Sequence, residues 1–588
     1  MSSSQNLVNE SQSVNERRLK CRDIRVDYRG HTVLQGVSHE FRPCAWTHII
    51  GANGIGKTTL LRCIGGLLRP SSGSVTINGE DIAEMPPIKR ALRIAYVPQR
   101  VESLPPITVA EFVAQGTFAS TETPRNLRIR AENAIEALGI TILSTRRLHE
   151  LSGGELQLCM IASAIAQQAE IVLLDEPTAA LDIRHAEQIC QVLQSLSERG
   201  ITVISTTHDL SQVYRYASET VLLNDGRAAW AGEGFPPSDV LAEAYDMPAS
   251  YFDRFKTGAE ALTDLRLESS SDSERHANAN RAVLAAVFIA VCALIAISPW
   301  FGATWATPWD GGNVFWMLRI PRVIWGIVAG ATLGLVGAAL QAMFQNELAT
   351  PYTLGIASGA SLGAMAAIQA GIVSIWALSG SASLGGLLSM AAVLWMASRF
   401  GFRNPVYCLL GGVAVSMFCG AVGLVIQAFA TPMTAQQMMR WQLGSLEIIG
   451  YSALISLPVI VLALGGLLYL ARPLELMSVD NDLAIARGAD VSKTRISALI
   501  LAGVATSLIV SECGPIGFVG LIIPNAVRRV CGGNLRRVFP ISALCGAGFL
   551  VTCDTAARLF ERIAWIPVGV MTAAIGVPIF LAMLLRKK

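Results

Sequence analysis

The feature that most constrains this chain is the run at residues 51–59, GANGIGKTT. It fits the pattern G-x-x-x-x-G-K-[ST], it follows the apolar, strand-like residues 47–50, and it precedes a helical run at 60–68. Glycines in such a loop let the backbone bend so that consecutive N–H groups point at phosphate oxygens. The run therefore predicts a strand, a loop and a helix that together bind a nucleoside triphosphate.

The side chains of the loop have separate predicted roles. Lys57 is expected to neutralise the β- and γ-phosphates, and the Thr58 hydroxyl is expected to bind Mg²⁺. A chance match is the alternative, because glycine makes up about 7% of average usage and roughly a few per cent of chains this long would contain the pattern. The loop residues predicted to contact the nucleotide are Gly51, Asn53, Gly54, Gly56, Lys57, Thr58 and Thr59.

The 588 residues exceed a single hydrophobic core, and the two halves differ in composition. Strand-like and helical segments alternate as far as Phe255, whereas long apolar runs rich in glycine and alanine begin at Arg281. The sequence predicts a multidomain protein, with an α/β nucleotide-binding domain at 18–255 and an all-α membrane domain at 281–588. The polar residues 256–280 are expected to form a solvated linker. Residues 1–17 are expected to be a disordered N-terminus. They lack the apolar core of a secretion signal, so the first half of the chain is expected to remain in the cytoplasm.

Two classes of site have little support in the composition. The net charge of +2 does not indicate a nucleic-acid partner. The twelve cysteines are scattered, without a C-x-x-C pair or a His/Cys cluster at zinc spacing, and several lie inside apolar runs. This pattern argues against structural disulfides and against zinc.

Ten apolar segments are predicted to span a membrane, eight of them clear and two weaker. The clear segments are 282–298, 322–344, 376–398, 406–429, 451–470, 497–510, 538–553 and 568–585, and the weaker ones are 353–372 and 516–526. Ten spans place the C-terminus and most lysines and arginines in the cytoplasm, as the positive-inside rule requires. Were 516–526 only re-entrant, the basic tail would lie outside. The exceptions, on or near the outer side, are Arg319, Arg322, Arg440, Arg558 and Arg562.

Two further constellations in the first half add to the loop at 51–59. The buried-strand run at 171–174 ends in Asp175 and Glu176, at the carboxyl end where an α/β sheet places ligand groups. Asp175 is expected to hold the Mg²⁺ shell, and Glu176 to polarise or orient the attacking water. Residues 151–155, LSGGE, open a helical run and leave its first N–H groups free for a second phosphate contact.

At this point the chain resembles the ATP-binding-cassette ATPases. Residues 51–58 resemble their Walker A motif, 173–176 their Walker B motif and 151–155 their signature motif. In that family the signature of one subunit closes over ATP held by the Walker A motif of its partner, so the resemblance implies a dimer with ATP and Mg²⁺ as its ligands. The signature residues implied to contact ATP are Ser152, Gly153, Gly154 and Glu155.

Four single residues also match positions of this family. Tyr28 resembles the aromatic residue that stacks on adenine, and Gln99 resembles the Q-loop residue that senses Mg²⁺. Asp182 matches the D-loop, and His208 matches the switch histidine that holds the γ-phosphate. Alone each would be an ordinary packing or surface residue, and the order and spacing of the motifs give them weight. The catalytic residues implied are Glu176, His208 and Gln99, and the implied metal ligands are Thr58, Gln99 and Asp175. Leu156, Leu158 and Ser163 stand where relatives often carry arginine.

The second half resembles the permeases of importers of ferric siderophores, haem and cobalamin. The resemblance is carried by residues 318–364, by WQLGSL at 441–446, by GPIGFVGLIIP at 514–524, by DTAAR at 554–558 and by IPVGVMTAAIGVP at 566–578. It implies a fold of ten spans. Small residues at Gly326, Gly330, Gly334 and Ala338 recur every four positions, which predicts a helix face for close packing.

Three positions depart from the pattern of these permeases. Glu347 stands where relatives usually have proline, and Asn525 stands where they usually have histidine. Residues 486–488, Ala-Arg-Gly, stand where relatives usually have Ser-Leu-Gly. This third departure lies in the cytoplasmic loop 479–490, which corresponds to the coupling helix that seats in a cleft of the ATPase. Its altered surface argues against pairing with a foreign ATPase, although fusion to an ATPase of its own makes such pairing unnecessary.

Charged residues near the predicted outer side have two readings. Arg319, Arg322 and Arg558 could reach lipid headgroups, but the resemblance implies that they dock acidic residues of a soluble binding protein. Glu512 lies at a predicted span end and is either a functional carboxylate or an exposed loop residue.

Together these features predict an ATP-driven importer in the bacterial cytoplasmic membrane, with the ATPase and the C-terminus in the cytoplasm. The expected assembly is a homodimer of fused chains, surrounded by membrane lipid, that receives a ferric siderophore from a periplasmic or lipid-anchored binding protein. Haem or cobalamin is the alternative cargo. An exporter, or a membrane sensor whose ATPase only signals, are alternatives of other classes.

Overall fold

The structure is a computed structural model. It describes residues 18–28, 30–179, 181–257, 289–302, 314–372, 374–400, 405–447, 450–561 and 563–585. The chain forms two compact units, the first made of residues 1–272 with 479–490 and the second of residues 273–478 with 491–588. The predicted N-terminus at 1–17 and nearly all of the predicted linker at 256–280 lie outside the described residues. The predicted domain limits remain predictions.

The first unit contains two sheets. Its strands are β1 (Leu19–Tyr28), β2 (His31–Phe41), β3 (Trp46–Ile50), β4 (Ser72–Ile77), β5 (Glu80–Asp81), β6 (Ile94–Val97), β7 (Ile171–Leu174), β8 (Thr202–Thr206), β9 (Glu219–Asn224) and β10 (Arg227–Glu233). One sheet has the order β10-β9-β3-β8-β7-β6, and within it β9, β3, β8, β7 and β6 are parallel while β10 is an antiparallel edge. The other sheet, β2-β1-β4-β5, is antiparallel. The predicted α/β fold is confirmed.

Strands β3, β6 and β7 are fully buried, as expected for strands covered on both faces, and their side chains are apolar except for Thr47 and His48 of β3. The helices of this unit are α1 (Lys57–Ile64), α2 (Pro87–Ala91), α3 (Val109–Gln115), α4 (Pro124–Ala137), α5 (Gly153–Gln167), α6 (Ile183–Glu198), α7 (Leu210–Tyr216), α8 (Ser238–Tyr245) and α9 (Ala249–Thr257). Ser152 caps α5 in a capping box with Glu155, which explains why the helix begins at the two glycines. Strands β3, β7 and β8 pair in register, so the residues that follow them meet at one edge of the sheet.

Residues 479–490 belong to the first unit although they lie far along the chain. Asp480 caps a short helix, α18 (Asn481–Ala486), by accepting a hydrogen bond from the Leu483 amide at 2.9 Å. Val479 and Leu483 are buried in the apolar cluster that also contains Phe112 and Leu158. This segment is therefore part of the core of the first unit.

The second unit is helical. Its elements are α10 (Ile289–Trp300), a π-helical turn (Val314–Arg319), α11 (Ile320–Phe344), α12 (Ile356–Gln369), α13 (Ile375–Phe400), α14 (Pro405–Ala428), α15 (Pro432–Gln442), a 3₁₀ turn (Ser452–Ser456), α16 (Leu457–Tyr469), α17 (Ala471–Met477), α19 (Val491–Cys513), α20 (Val519–Cys531), α21 (Leu535–Phe560) and α22 (Val568–Leu585). Among the described residues, five helices are long and apolar enough to cross a membrane, or six if the bent pair Leu454–Tyr469 and Ala471–Met477 forms one span. Three shorter apolar helices accompany them. A polytopic helical unit is confirmed, and the count of ten spans remains a prediction.

The helices of this unit approach each other where side chains are absent. A Cβ atom on Gly330 of α11 would lie 2.3 Å from the carbonyl oxygen of Gly546 in α21, and one on Gly334 would lie 2.4 Å from that of Ser542. Both distances are too short for a carbon atom, so only glycine permits this approach. The predicted packing face on α11 is confirmed.

Candidate nucleotide-binding and hydrolysis site

The loop between β3 and α1 has the backbone shape that phosphate binding needs. Gly51 and Gly56 have φ of 146° and 108°, which L side chains rarely adopt. A Cβ on Gly51 would lie 2.5 Å from the Leu223 carbonyl oxygen, and one on Gly56 would lie 2.8 Å from Cδ2 of Leu34. Glycine is therefore required at position 51 by a backbone clash as well as by its dihedral angles, and at position 56 by its dihedral angles.

Lys57, the first residue of α1, folds back over this loop. Its Nζ donates to the carbonyl oxygens of Gly51 at 2.8 Å and Ala52 at 3.0 Å, and the residue is only 6% exposed. Burial lowers the pKa of Lys57, while the nearby carboxylates of Glu176 and Asp175 oppose that shift. The arrangement holds a cationic group at the loop, where phosphate oxygens would replace the two carbonyls as its partners.

Asp175 lies directly after β7 and is 3% exposed. Its Oδ1 accepts hydrogen bonds from the Thr206 hydroxyl at 2.7 Å and the Thr58 hydroxyl at 3.0 Å. Burial raises the pKa of Asp175, and these two hydrogen bonds oppose the shift. A carboxylate and a hydroxyl at this separation form a set of hard oxygen donors that suits Mg²⁺, so Thr58 and Asp175 fit the predicted metal site.

Glu176 brings together the three residues predicted to be catalytic. Its Oε2 accepts a hydrogen bond from Nε2 of Gln99 at 2.7 Å, and Nδ1 of His208 lies 3.6 Å from the same oxygen. The backbone at Glu176 is left-handed, with φ of 45°, and its N–H donates to the Thr206 hydroxyl at 2.8 Å. A non-glycine residue in this conformation is held there by its surroundings, which here aim a carboxylate between an amide and an imidazole.

Thr206 is a functional residue that the sequence reasoning missed. Its hydroxyl donates to Asp175 and accepts from the Glu176 amide, so one side chain positions both carboxylates. The signal was a run of polar residues, Ser205, Thr206 and Thr207, all buried, at the end of strand β8. Buried hydroxyls need hydrogen-bond partners, and the end of a neighbouring strand supplies them here.

The start of α5 is capped by its own residues and lies apart from the nucleotide loop of the same chain. The Ser152 hydroxyl accepts from the Glu155 amide at 3.3 Å, and Glu155 Oε2 accepts from the Ser152 amide at 2.8 Å. Both Ser152 and Gly153 are exposed. Within the described residues no hydrogen bond joins this helix start to residues 51–59, so the structure does not bring the two predicted phosphate contacts together in one chain.

Two other predicted residues lie apart from this cluster. Tyr28 ends β1 and is 44% exposed. Asp182 caps α6, where its Oδ1 accepts from the His185 amide at 2.9 Å and its Oδ2 lies 2.7 Å from Nδ1 of His185. Their roles at the nucleotide remain predictions.

The three arginines predicted to dock a binding protein lie in the second unit and are paired within it. Asp554 bridges two of them, with Arg322 Nε at 2.8 Å and Arg558 Nε at 3.0 Å. Arg319 donates through Nη1 to the carbonyl oxygen of Phe301 at 2.6 Å. Arg558 is 2% exposed and Arg319 is 8% exposed. The docking role stays a prediction. It requires the arginines to leave these partners within the second unit before they can contact a binding protein.

Two departures named above also meet in the second unit. Nδ2 of Asn525 donates to the backbone carbonyl oxygen of Glu347 at 3.1 Å and to that of Leu521 at 2.9 Å. The asparagine therefore ties helix α20 to the loop after α11. Glu512, in the last turn of α19, is half-buried.

Comparison with known families agrees with this division of the chain. The family model described as the FecCD transport family matches residues 282–586, slightly more than half of the chain. The chain belongs to the FecCD transport family. The model described as ABC transporter matches residues 34–179 of the same chain, so the ATPase and the FecCD permease are fused.

Curated relatives match the permease half. A cobalamin import system permease protein of Halobacterium salinarum is 38% identical over 270 residues, which are 45% of this chain and 72% of the relative. An Fe(3+) dicitrate transport system permease protein of Escherichia coli is 33% identical over 314 residues, 51% of this chain and 96% of the relative. A hemin transport system permease protein of Yersinia pestis is 32% identical over 302 residues, 50% of this chain and 90% of the relative.

The FecCD assignment, the ATPase match and the site geometry together define the general activity. The chain is an ATP hydrolase coupled to transport, and it is a multi-pass membrane protein of the importer family for iron chelates, haem and cobalamin. The resemblance inferred from the motifs is confirmed at this level.

Proposed function

We propose that this fused FecCD chain imports a ferric siderophore into the cytoplasm as a homodimer, driven by ATP and supplied by a soluble or lipid-anchored binding protein. The observation that carries the proposal is the cluster of Lys57, Asp175, Glu176, Gln99 and His208 in one chain with a FecCD permease. A chain that holds both parts needs only a second copy of itself to supply two ATPases and two permeases. The proposed location is the bacterial cytoplasmic membrane, with the ATPase and the C-terminus inside.

The site residues support a direct hydrolysis of ATP by water. Glu176 Oε2 is placed to orient the attacking water and accept its proton, with Gln99 and His208 on either side of the same oxygen. The water oxygen forms a bond to the γ-phosphorus as the bond to the β–γ bridging oxygen breaks, giving ADP and phosphate. Lys57 neutralises charge on the β- and γ-phosphates. Thr58 and Asp175 would hold Mg²⁺, which supplies positive charge to the phosphate oxygens when bound.

The homodimer completes the site. At the exposed start of α5 the Ser152 and Glu155 amides are used in the capping box, while those of Gly153 and Gly154 have no acceptor among the described residues, and none of the four bonds to residues 51–59 of the same chain. Because the positive end of a helix favours phosphate oxygens, a second copy that presents Ser152, Gly153 and Gly154 would close the nucleotide between two chains. ATP binding would then draw two first units together, and hydrolysis would release them.

Cobalamin and haem are the second candidate cargo, because the matched relatives are named for three different cargoes. A test that separates them uses a strain of the native host that lacks this gene, with the wild-type chain or Glu176→Gln restored. Uptake is measured for a ⁵⁵Fe-labelled hydroxamate siderophore, for haemin and for ⁵⁷Co-labelled cyanocobalamin. Uptake of the ⁵⁵Fe chelate that returns with wild type and not with Glu176→Gln supports the proposal. Uptake of cyanocobalamin or haemin alone would replace siderophore as the cargo, and growth or signalling rescued equally by Glu176→Gln would overturn ATP-driven import.

A further inference from the structure

A buried arginine anchors residues 479–490 in the first unit. Arg487 follows α18 and is 1% exposed. Its Nη1 donates to Oε1 of Gln115 at 2.7 Å, and its Nη2 donates to the hydroxyl of Ser163 at 2.7 Å. The guanidinium carbon lies 4.5 Å from the centroid of the Phe112 ring. One side chain thus contacts the end of α3 and the middle of α5 at the same time.

The charge of this arginine makes its position sensitive to those contacts. The described residues contain no carboxylate within salt-bridge distance of it, and Asp480 is the acidic group whose field acts on it. Burial lowers the pKa of Arg487 to about 9, so the guanidinium is still charged at neutral pH. A buried cation needs compensating partners, and here two neutral hydrogen-bond acceptors and an aromatic face provide them. Moving α5 away from the segment would leave the guanidinium with unpaired donors.

A second polar contact joins the same segment to another helix. Nη2 of Arg62, in the last turn of α1, lies 2.7 Å from Oδ2 of Asp482 in α18. Both side chains are about a third exposed, so this pair is weaker than the buried one. Helix α1 begins at Lys57 and helix α5 begins after Ser152, so the segment is fastened to the two helices whose starts are predicted to contact phosphate.

The buried contact also joins two positions that the sequence analysis singled out separately. Ser163 stands where related ATPases often carry arginine, and Arg487 stands where related permeases usually carry leucine. The Arg487 guanidinium donates a hydrogen bond to the Ser163 hydroxyl, so the buried site between the two positions contains one guanidinium, which residue 487 supplies. A second arginine at 163 would place two like charges in one buried site.

We propose that Arg487 is a positioning residue that makes residues 479–490 move with helix α5. The pair Arg487–Ser163 also determines which residue this ATPase accepts at position 487 of that segment. Movement of α5 on ATP binding then displaces the segment, because the guanidinium cannot leave Gln115 and Ser163 without being buried unpaired. The transport consequence rests on the proposed function, whereas the physical link between α5 and the segment does not.

Hydrogen–deuterium exchange of the full-length chain in lipid nanodiscs tests the link without any cargo. The background is Glu176→Gln, which traps ATP, and exchange is followed at residues 481–489 and 51–59 with and without ATP and Mg²⁺. With Arg487 intact, ATP is expected to change exchange at both places. With Arg487→Leu, exchange at 481–489 is expected to rise about tenfold, as for the loss of a charge-assisted hydrogen bond, and its response to ATP to disappear. Exchange at 51–59 should still fall with ATP, showing that nucleotide binds.

Three further variants and one control separate a positioning role from simple destabilisation. Ser163→Ala, which keeps the arginine and removes one acceptor, is expected to weaken the ATP response partly and serves if Arg487→Leu fails to fold. Ser163→Arg alone is expected to lose the response through charge repulsion, and the double variant Arg487→Leu with Ser163→Arg is expected to regain most of it. Arg42→Leu removes an exposed pair with Glu233 and is the matched control, with no change expected at 481–489.

The proposal is overturned if Arg487→Leu leaves the ATP response at 481–489 intact, or if the double variant is no better than Ser163→Arg alone. These outcomes are independent of cargo. An intact exchange link in a chain that moves no ⁵⁵Fe chelate, haemin or cyanocobalamin would contradict the proposed import function and leave the role of Arg487 standing.

Discussion

In the first unit, function is built from polar side chains at the ends of three neighbouring parallel strands, whereas the second unit is held together by helix faces that lack side chains. Asp175 and His208 follow β7 and β8, and the loop at 51–59 follows β3. In the second unit Gly330 and Gly546 bring two helices into backbone contact. A substitution at the polar site of the first unit can therefore remove chemistry and leave the fold, while one at a close glycine contact of the second unit disrupts the fold first.

The largest effect is expected at the catalytic carboxylate. Glu176→Gln keeps the shape of the side chain but cannot accept a proton from water, so the ATP turnover rate should fall about 10²- to 10⁴-fold. ATP binding and the unfolding midpoint should be unchanged, measured by nucleotide titration and thermal unfolding. Glu198→Gln, on the exposed end of α6, is the matched control. A loss of folding with Glu176→Gln would show that this carboxylate is needed for the fold of the first unit as well as for its chemistry.

The converse is expected in the second unit. Gly330→Leu would force a side chain against the Gly546 carbonyl and should destabilise this unit by about 3 kcal/mol. Nucleotide binding by the first unit should persist, so the two measurements separate. Gly465→Leu, at a helical glycine with open space around it, is the control for adding leucine in a membrane helix. Equal stability of the two variants in a thermal aggregation assay would contradict the close packing of α11 and α21.

A smaller effect is expected from a buried histidine of the first unit. His48 is 0% exposed on β3, and its ring lies 4.5 Å from that of Trp46. Burial lowers the pKa of His48 to about 3, whereas the unfolded chain has the usual value of about 6.5. Below pH 6.5 the unfolded state gains a proton that the folded state refuses, so stability falls as the pH falls, by about 2 kcal/mol between pH 7.5 and pH 5.

The pH dependence is checked by measuring, at pH 7.5 and at pH 5, the temperature at which half of the nucleotide binding is lost. His48→Phe keeps a ring beside Trp46 and removes the proton, so its midpoint should fall less at pH 5 than that of the wild type. His149→Phe, an exposed histidine of the same unit, is the control. The same acid sensitivity in wild type and His48→Phe would assign the effect to other groups.

The smallest effect is expected at the arginine cluster of the second unit. If Arg322 contributes to docking, Arg322→Gln should slow association of the binding protein about five- to tenfold at low salt, with a smaller difference at high salt. Surface-plasmon measurements with the binding protein of the native host would show this. Arg399→Gln, at the end of α13 and on the predicted cytoplasmic side, is the control. Unchanged association would leave Arg322 with a structural role only, through its ion pairs with Asp554 and Glu561.

The sequence predicted the first unit well because its motifs have local causes. The loop at 51–59 needs its glycines and Lys57 wherever it occurs, and a strand that ends in Asp175 and Glu176 places them at the sheet edge. Thr206 was missed because a threonine at the end of a strand is common, and only the register of β8 with β7 shows that it reaches both carboxylates.

The second unit was less predictable for a physical reason. Hydropathy marks apolar length, but the segments around 353–372 and 516–526 became helices of 14 and 13 residues, too short to be recognised as spans by length alone. Arg319, Arg322 and Arg558 were expected at the outer side to bind another protein, because counting the charges of the loops does not show which residues of the same chain pair with them. Asp554, four residues before Arg558, was the available signal for their pairing.

The placement of residues 479–490 in the first unit has a consequence for synthesis of the protein. The ribosome completes residue 272 about two hundred residues before it reaches Val479. At about 5–20 residues per second, the ATPase emerges some 10–40 seconds before the helix that buries Val479 and Leu483 in its core. The apolar site that Val479 and Leu483 cover therefore stays exposed in the nascent ATPase while the membrane helices are inserted. The first unit can be completed only after synthesis has passed α17.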